Sequence, residues 1–279
     1  SKAFRRATTK LAVLLGACFL AGTAGAIEFP VNSTDDDADS AIGDGLCWTG
    51  SWIQVGRFGV RECTLRAAIQ EANAQAGADE ITFWATALTP NVYGRVIFAP
   101  GSAYPVITSP LTIDGTSYSP YDEADPNAFP LIVLDGSFLG GSAIPGLTLG
   151  ETADGSVIRA LTIIDFPAHG ISVAGADSVL IEGNHIGLDR GVLTEGNGGS
   201  GIYVYSFSAF PTIGQQLNPL TGFEGRPNVI SANASDGITI TGNGAKVYGN
   251  RIGTDPSGNA VSIPGGATGN GGAGVSLEG

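Results

Sequence analysis

Positive charge is scarce in this chain. Its 279 residues hold 13 Lys and Arg against 26 Asp and Glu, and only 14% of residues are charged. Four of the basic residues (Lys2, Arg5, Arg6 and Lys10) lie before position 27, where there is no acid. The rest of the chain therefore keeps nine bases against 26 acids. Such a surface repels phosphate backbones, which excludes nucleic acid as a partner. It serves solubility first, and it could attract calcium or a cationic partner. Cysteine is rare as well, with three residues, and helical periodicity is nearly absent. After residue 26 no apolar run approaches the roughly 20 residues of a membrane-spanning helix. Glycine, by contrast, is abundant at 43 residues. Low charge with much glycine predicts many short strands joined by tight turns, because Gly takes positive φ at little steric cost.

The N-terminus runs SKAFRRATTK, then LAVLLGACFLAGTAGA. A basic stretch, an apolar run and the small-residue end Ala24-Gly25-Ala26 predict a secretory signal peptide over 1–26. The chain is then exported, either secreted or held at a bacterial cell surface. Leu15-Gly16-Ala17-Cys18 offers a second mode, a lipid on Cys18. Two other cysteines remain, Cys47 and Cys63. In an oxidising compartment one disulfide is the simplest outcome. It would close a loop of about 15 residues, worth roughly 3 kcal/mol in the chain-entropy model. A metal held by two lone thiols fits less well, and so does a nucleophilic Cys with no His nearby in sequence.

Residues 27–95 form an N-terminal cap. Asp35, Asp37 and Asp39 stand at alternate positions and could offer oxygens to Ca²⁺, although the loop lacks the Gly and closing Glu of an EF-hand. A solvated acidic loop is the plainer expectation. The stretch 63–76 is the one clear helix. Leu65, Ala68, Ile69 and Ala72 fall on one face, Thr64 is an N-cap, and Gly77 stops the helix. A short strand follows over 79–83.

From Val96 to Gly279, short β-branched runs alternate with turn signals. Gly183-Asn184-His185-Ile186-Gly187 returns as Gly249-Asn250-Arg251-Ile252-Gly253, 66 residues later. His169-Gly170-Ile171 returns as Asp236-Gly237-Ile238, at an offset of 67, and Val157-Ile158 has a partner in Val229-Ile230. The offsets predict three coils of 22–24 residues, with strands starting near Val157, Val179, Ile202 and Val229. Short strands with Gly and Asn corners predict an all-β fold, a right-handed parallel β-helix. Asn184, Asn233 and Asn250 are either ladder residues stacked by hydrogen bonds or turn residues tolerant of positive φ. A solenoid must hide its ends, and the helix at 63–76 is placed to cap the first coil. The repeat-like GAGVSLEG at the other end has no such cap, so 96–279 is expected to continue into further C-terminal parts.

Asp44-Gly45-Leu46-Cys47, the run from Glu62 to Asn73 (ECTLRAAIQEAN) and Gly77-Ala78-Asp79-Glu80-Ile81 resemble the CSLREA domain of bacterial surface proteins. Leu111–Thr116, Asn228–Ile238 and Gly249–Gly258 resemble the repeat signatures of the pectin-lyase-like β-helices that follow such domains. The resemblance covers roughly 28–279. Thr64 stands where the family has Ser, and Ala67 where it has Glu, so the N-cap remains but its capping-box partner is lost. The resemblance implies fold and export. It implies no activity and supplies no catalytic residue or cofactor.

Catalytic candidates are correspondingly weak. Ala168-His169-Gly170 is faintly similar to the Gly-His-Gly of polygalacturonases, without the paired Asp motifs that acid and base work needs. A calcium-dependent lyase would draw on Asp165 and Asp189 with Arg159 or Arg190. His185, with Arg251 as its repeat equivalent, is expected at the surface. Gly196–Gly201 lacks the Lys and the helix of a phosphate loop. Tyr203 and Tyr205 share one strand face. With Phe207 and Phe210 they are expected to be core beneath a loop at 206–227, or, if exposed, a platform for sugar rings. The leading expectation is a surface β-helix that binds or displays, contacting polysaccharide or cell-surface glycan. The alternatives are a polysaccharide lyase or glycoside hydrolase, and a structural spacer.

Overall fold

A computed structural model describes residues 25–121, 128–141, 143–189, 196–218, 222–224, 226–259 and 269–278. Nearly all of the expected leader, with Cys18, lies outside the described residues, and so does Arg190. The strands stack in three parallel sheets. The first holds Glu28–Val31, Asp79–Phe83, Leu111–Asp114, Val157–Arg159, Leu180–Glu182, Thr212–Gly214 and Lys246–Tyr248. The second holds Val96–Phe98, Ile132–Asp135, Leu161–Ile164, His185–Ile186, Val229–Ile230 and Arg251–Ile252. The third holds Leu147–Gly150, Ile171–Ala174, Ile202–Val204, Ile238–Ile240 and Val275–Leu277. The chain visits the first, second and third sheet in turn, then returns to the first one strand further on. The result is an all-β stack of parallel sheets with a single α-helix among the described residues, compatible with a parallel β-helix.

Alternation along each strand builds the core. Ile81, Ile113, Ile158, Ile181 and Ile213 sit in register on successive strands of the first sheet and are fully buried. Leu134, Ile163, Ile186 and Ile230 form the matching column of the second sheet. In the third sheet Leu147, Ile171, Ile202 and Ile238 do the same. Stacking like on like lets each coil bury the apolar face of the next, which no coil could do alone.

The coil length differs from the sequence expectation. Leu180 faces Thr212, and Thr212 faces Lys246, so the 66-residue repeat spans two coils rather than three. Steps of the expected length do occur, from Val157 to Leu180 in the first sheet, from Thr162 to His185 and Val229 to Arg251 in the second, and from Leu147 to Ile171 in the third. Ile202 belongs to the third sheet and Val229 to the second, so neither starts a coil, and Val157 and Val229 are not equivalent. The long connections lie between the second and third sheets and around 215–227, which lengthens the coils there.

Corners carry positive φ. Ala160, Asp165 and Ser178 (φ 55, 57 and 56) turn one coil, and Gly183, Gly187 and Phe210 (φ 65, 82 and 56) turn the next. At Gly187 a Cβ would meet the Ser231 carbonyl, so this corner excludes a side chain as well. Two asparagine ladders run beside the corners. Asn184, Asn228 and Asn250 form one, with side-chain amides at 3.1 and 2.8 Å. Asn197, Asn233 and Asn270 form the other, both links at 2.9 Å. Of the two expectations for the corner asparagines, the ladder is the one the structure holds.

The helix spans Leu65–Ala74, shorter than the expected 63–76. Thr64 caps it by accepting from the Ala67 N–H at 3.1 Å. Leu65, Ala68, Ile69 and Ala72 are buried in one cluster with Phe29 and Ile81, so the helix closes the first coil. Its polar residues clip it in place. Arg66 pairs with Asp36 at 2.8 Å and donates to the carbonyls of Ser102 and Ala103. Asn73 donates to the Val106 carbonyl and accepts from the Thr108 N–H. Glu71, fully buried, accepts from the backbone N–H groups of Gly43 and Gly45. The acidic loop is therefore tied to the helix.

Cys47 and Cys63 form a disulfide. Because the loop between them is short, replacing both by Ser should cost about 3 kcal/mol. Denaturant unfolding of the double variant against the oxidised parent measures this. A difference below about 1 kcal/mol would show that the cap holds without its bridge.

Candidate functional site

The outward residues of the third sheet follow from its inward ones. Leu147 and Leu149 point in, so Thr148 points out. The same holds for Ser172 between Ile171 and Val173, Tyr203 between Ile202 and Val204, and Thr239 between Ile238 and Ile240. These four stand in register, one per coil. Tyr205 continues the strand direction of Tyr203, and His169 sits at the corner that feeds the sheet.

Their rings make a strip. His169 lies 4.6 Å from Tyr203, Tyr203 lies 4.5 Å from Tyr205, and Tyr205 lies 5.7 Å from Phe207, centroid to centroid. Tyr203 and Tyr205 are half-buried, while Phe207 and Phe210 are each 58% exposed. This corrects the expectation that the four are core: the inward places are already taken by Ile202 and Val204. Beside the strip opens a cleft of about 420 Å³, whose lining includes Pro145, Thr148, His169, Ser172, Tyr205 and Phe207.

His169 is set for donation. Its Nδ1 accepts from the Ser200 backbone N–H at 3.0 Å, so the neutral ring carries its proton on Nε2. Burial holds its pKa below the usual value. The imidazole is therefore neutral near pH 7, with one lone pair already engaged and an N–H to offer. A base would need the reverse.

The other catalytic candidates do not join it in a catalytic set. Asp165 occupies a corner with positive φ, and its pKa is raised by burial and then by the nearby Asp135. Its backbone conformation is one that neighbouring coils also use, so it marks a turn and no special strain. Asp189 is buried in an ion pair with Arg95. Arg159 is on the first sheet, paired with Asp114 at 2.7 Å. Gly196–Gly201 is structural, with Asn197 buried in its ladder. Asp39 also changes place: its carboxylate accepts from the N–H groups of Ala41 and Trp48 at 2.7 and 2.9 Å. Glu62 takes its place beside Asp35 and Asp37, with one oxygen of each within 4.8 Å of the others. Glu62 already accepts from the Thr49 hydroxyl at 2.6 Å.

His185 is not at the surface. It is buried, its ring 4.9 Å from that of Phe129, and its Nδ1 has no hydrogen-bond partner. Arg251 does share its column, two strands away.

No family model matches this chain, and no curated protein or solved structure matches it. Sequence reasoning missed Thr148, Ser172 and Pro145 as partners of the aromatic residues. The signal was the single hydroxyl residue between two aliphatics in LTL and ISV, the same position as Tyr203 in IYV.

Proposed function

We propose that this chain is an exported, right-handed parallel β-helix of the CSLREA-bearing type that binds a neutral polysaccharide along its third sheet and displays it or adheres through it. The observation that carries this is the aromatic strip from His169 to Phe207 beside an open cleft. Aromatic faces suit the apolar C–H faces of sugar rings, and flanking polar groups fix their orientation. Thr148, Ser172 and the His169 N–H supply those groups. Among the described residues lining the cleft none is charged, and the chain carries a net charge of −13. A polyuronate would meet no cation there to pair with its carboxylates. Neutral glycans fit better.

Affinity electrophoresis through gels containing neutral polysaccharides tests this. Tyr205→Ala with Phe207→Ala should weaken retention by about 30-fold, or roughly 2 kcal/mol, as for paired aromatic anchors. Melting should change little, because Phe207 is mostly exposed. Unchanged retention in the double variant would remove the strip from the account.

A further inference from the structure

The hairpin Trp52–Val55 with Phe58–Arg61 belongs to none of the three sheets. It grows out of the disulfide loop, and its base is zipped by Thr49 N–H to the Glu62 carbonyl (3.1 Å) and Glu62 N–H to the Ser51 carbonyl (3.0 Å). Cross-strand register puts Trp52, Gln54, Gly59 and Arg61 on one face, and Ile53, Val55, Phe58 and Val60 on the other. None of these four apolar side chains packs on the solenoid core. Phe58 is 75% exposed and Trp52 62%. On the first face Trp48 and Trp52 meet edge to face at 6.3 Å, and the Arg61 guanidinium sits 4.9 Å from the Trp48 ring.

Charge marks the same segment. From Trp48 to Arg61 there are two arginines and no acid, in a chain with twice as many acids as bases. Arg57 stands at the exposed tip beside Gly56. A two-stranded hairpin is marginal in water, and this one exposes apolar rings that a soluble surface would normally hide.

We propose that the hairpin docks on an anionic lipid bilayer. Trp and Phe partition to the headgroup boundary. Arginine binds lipid phosphate through paired N–H groups, and each basic residue near an anionic surface adds about 1 kcal/mol. The site is independent of the glycan cleft. It would hold the cap end of the solenoid against a membrane while the third sheet stays free.

The test is co-sedimentation of the chain, without residues 1–26, on vesicles of phosphatidylcholine alone or mixed with phosphatidylglycerol. Mixed vesicles should bind at least about tenfold more tightly, and salt should weaken the binding. Phe58→Ser with Trp52→Ser should lose about tenfold or more, with neutral-polysaccharide retention unchanged. Should that variant disturb the hairpin, Arg57→Glu at the exposed tip gives a second reading, with loss confined to the anionic vesicles. Glycerol phosphate and dextran sulfate separate lipid docking from capture of free phosphate or any polyanion. The proposal is overturned if the parent ignores anionic vesicles, if neither variant weakens binding, or if either soluble anion competes as well as the bilayer.

Discussion

Asn228→Ala should lower folding stability by about 3 kcal/mol. Asn228 is fully buried and uses its whole amide. Its Oδ1 accepts from both the backbone N–H and the side chain of Asn184, at 3.0 and 3.1 Å. Its Nδ2 donates to the Ile181 carbonyl and to Asn250 Oδ1, both at 2.8 Å. Alanine would take these bonds from the Asn184 N–H, the Ile181 carbonyl and Asn250 Oδ1, in two neighbouring coils at a largely buried corner. Each such buried group costs about 1–3 kcal/mol, and relaxation around the smaller side chain recovers part of it. Urea unfolding measures the loss, with Asn259→Ala in an exposed turn as the control, expected within about 0.5 kcal/mol. A loss below about 1 kcal/mol at Asn228 would mean that the ladder decorates the corner rather than holding it.

His185 should make the fold acid-sensitive. Burial, and then the charge of Arg251, push its pKa down to about 3 from an ordinary 6.5. The unfolded chain takes up this proton below pH 6.5, and the folded chain does not until about pH 3. Stability from the neutral imidazole is thus complete above pH 6.5 and declines as pH falls through that window. The limiting slope is about 1.4 kcal/mol per pH unit, so the loss between pH 7 and pH 4.5 should be about 2.5 kcal/mol. His185→Gln keeps a polar group of similar size and does not titrate. Denaturant unfolding of parent and variant at pH 7 and pH 4.5 isolates the effect. Equal pH dependence in the two proteins would place the proton elsewhere.

What the sequence showed and what it hid divide by range. The helix was legible because its apolar face and its Thr64 cap lie within a few residues, although it ends at Ala74, before the expected stop at Gly77, and the two remaining cysteines left one simple pairing. The parallel, coiled character was legible from the repeats. The coil period was not. Val157, Ile202 and Val229 look alike in sequence because each opens a short apolar run, yet they lie in three different sheets, and of the three only Ile202 faces the core. Loop lengths between sheets set the true period, and nothing local encodes them. The same limit governs the site. Alternation placed Tyr203 and Tyr205 on one face, but only their neighbours Ile202 and Val204, stacked on Ile171 and Val173, decide that the face is outward. His185 was misplaced because its cover includes Phe129, far away in sequence. Glu62 joins Asp35 and Asp37 through tertiary contact alone.

The most direct test of the central claim is a single incubation of the chain, without residues 1–26, with insoluble neutral polysaccharides and with polygalacturonate, with and without calcium. Bound protein and polymer chain length are read from the same tubes. Protein that pellets with a neutral polymer, leaves its length unchanged and ignores polygalacturonate is the predicted result. Shortened chains, lost on Asp165→Asn or His169→Ala, would contradict it and make the face that of a lyase or hydrolase. No binding to any neutral polymer would also contradict it and leave the solenoid a spacer.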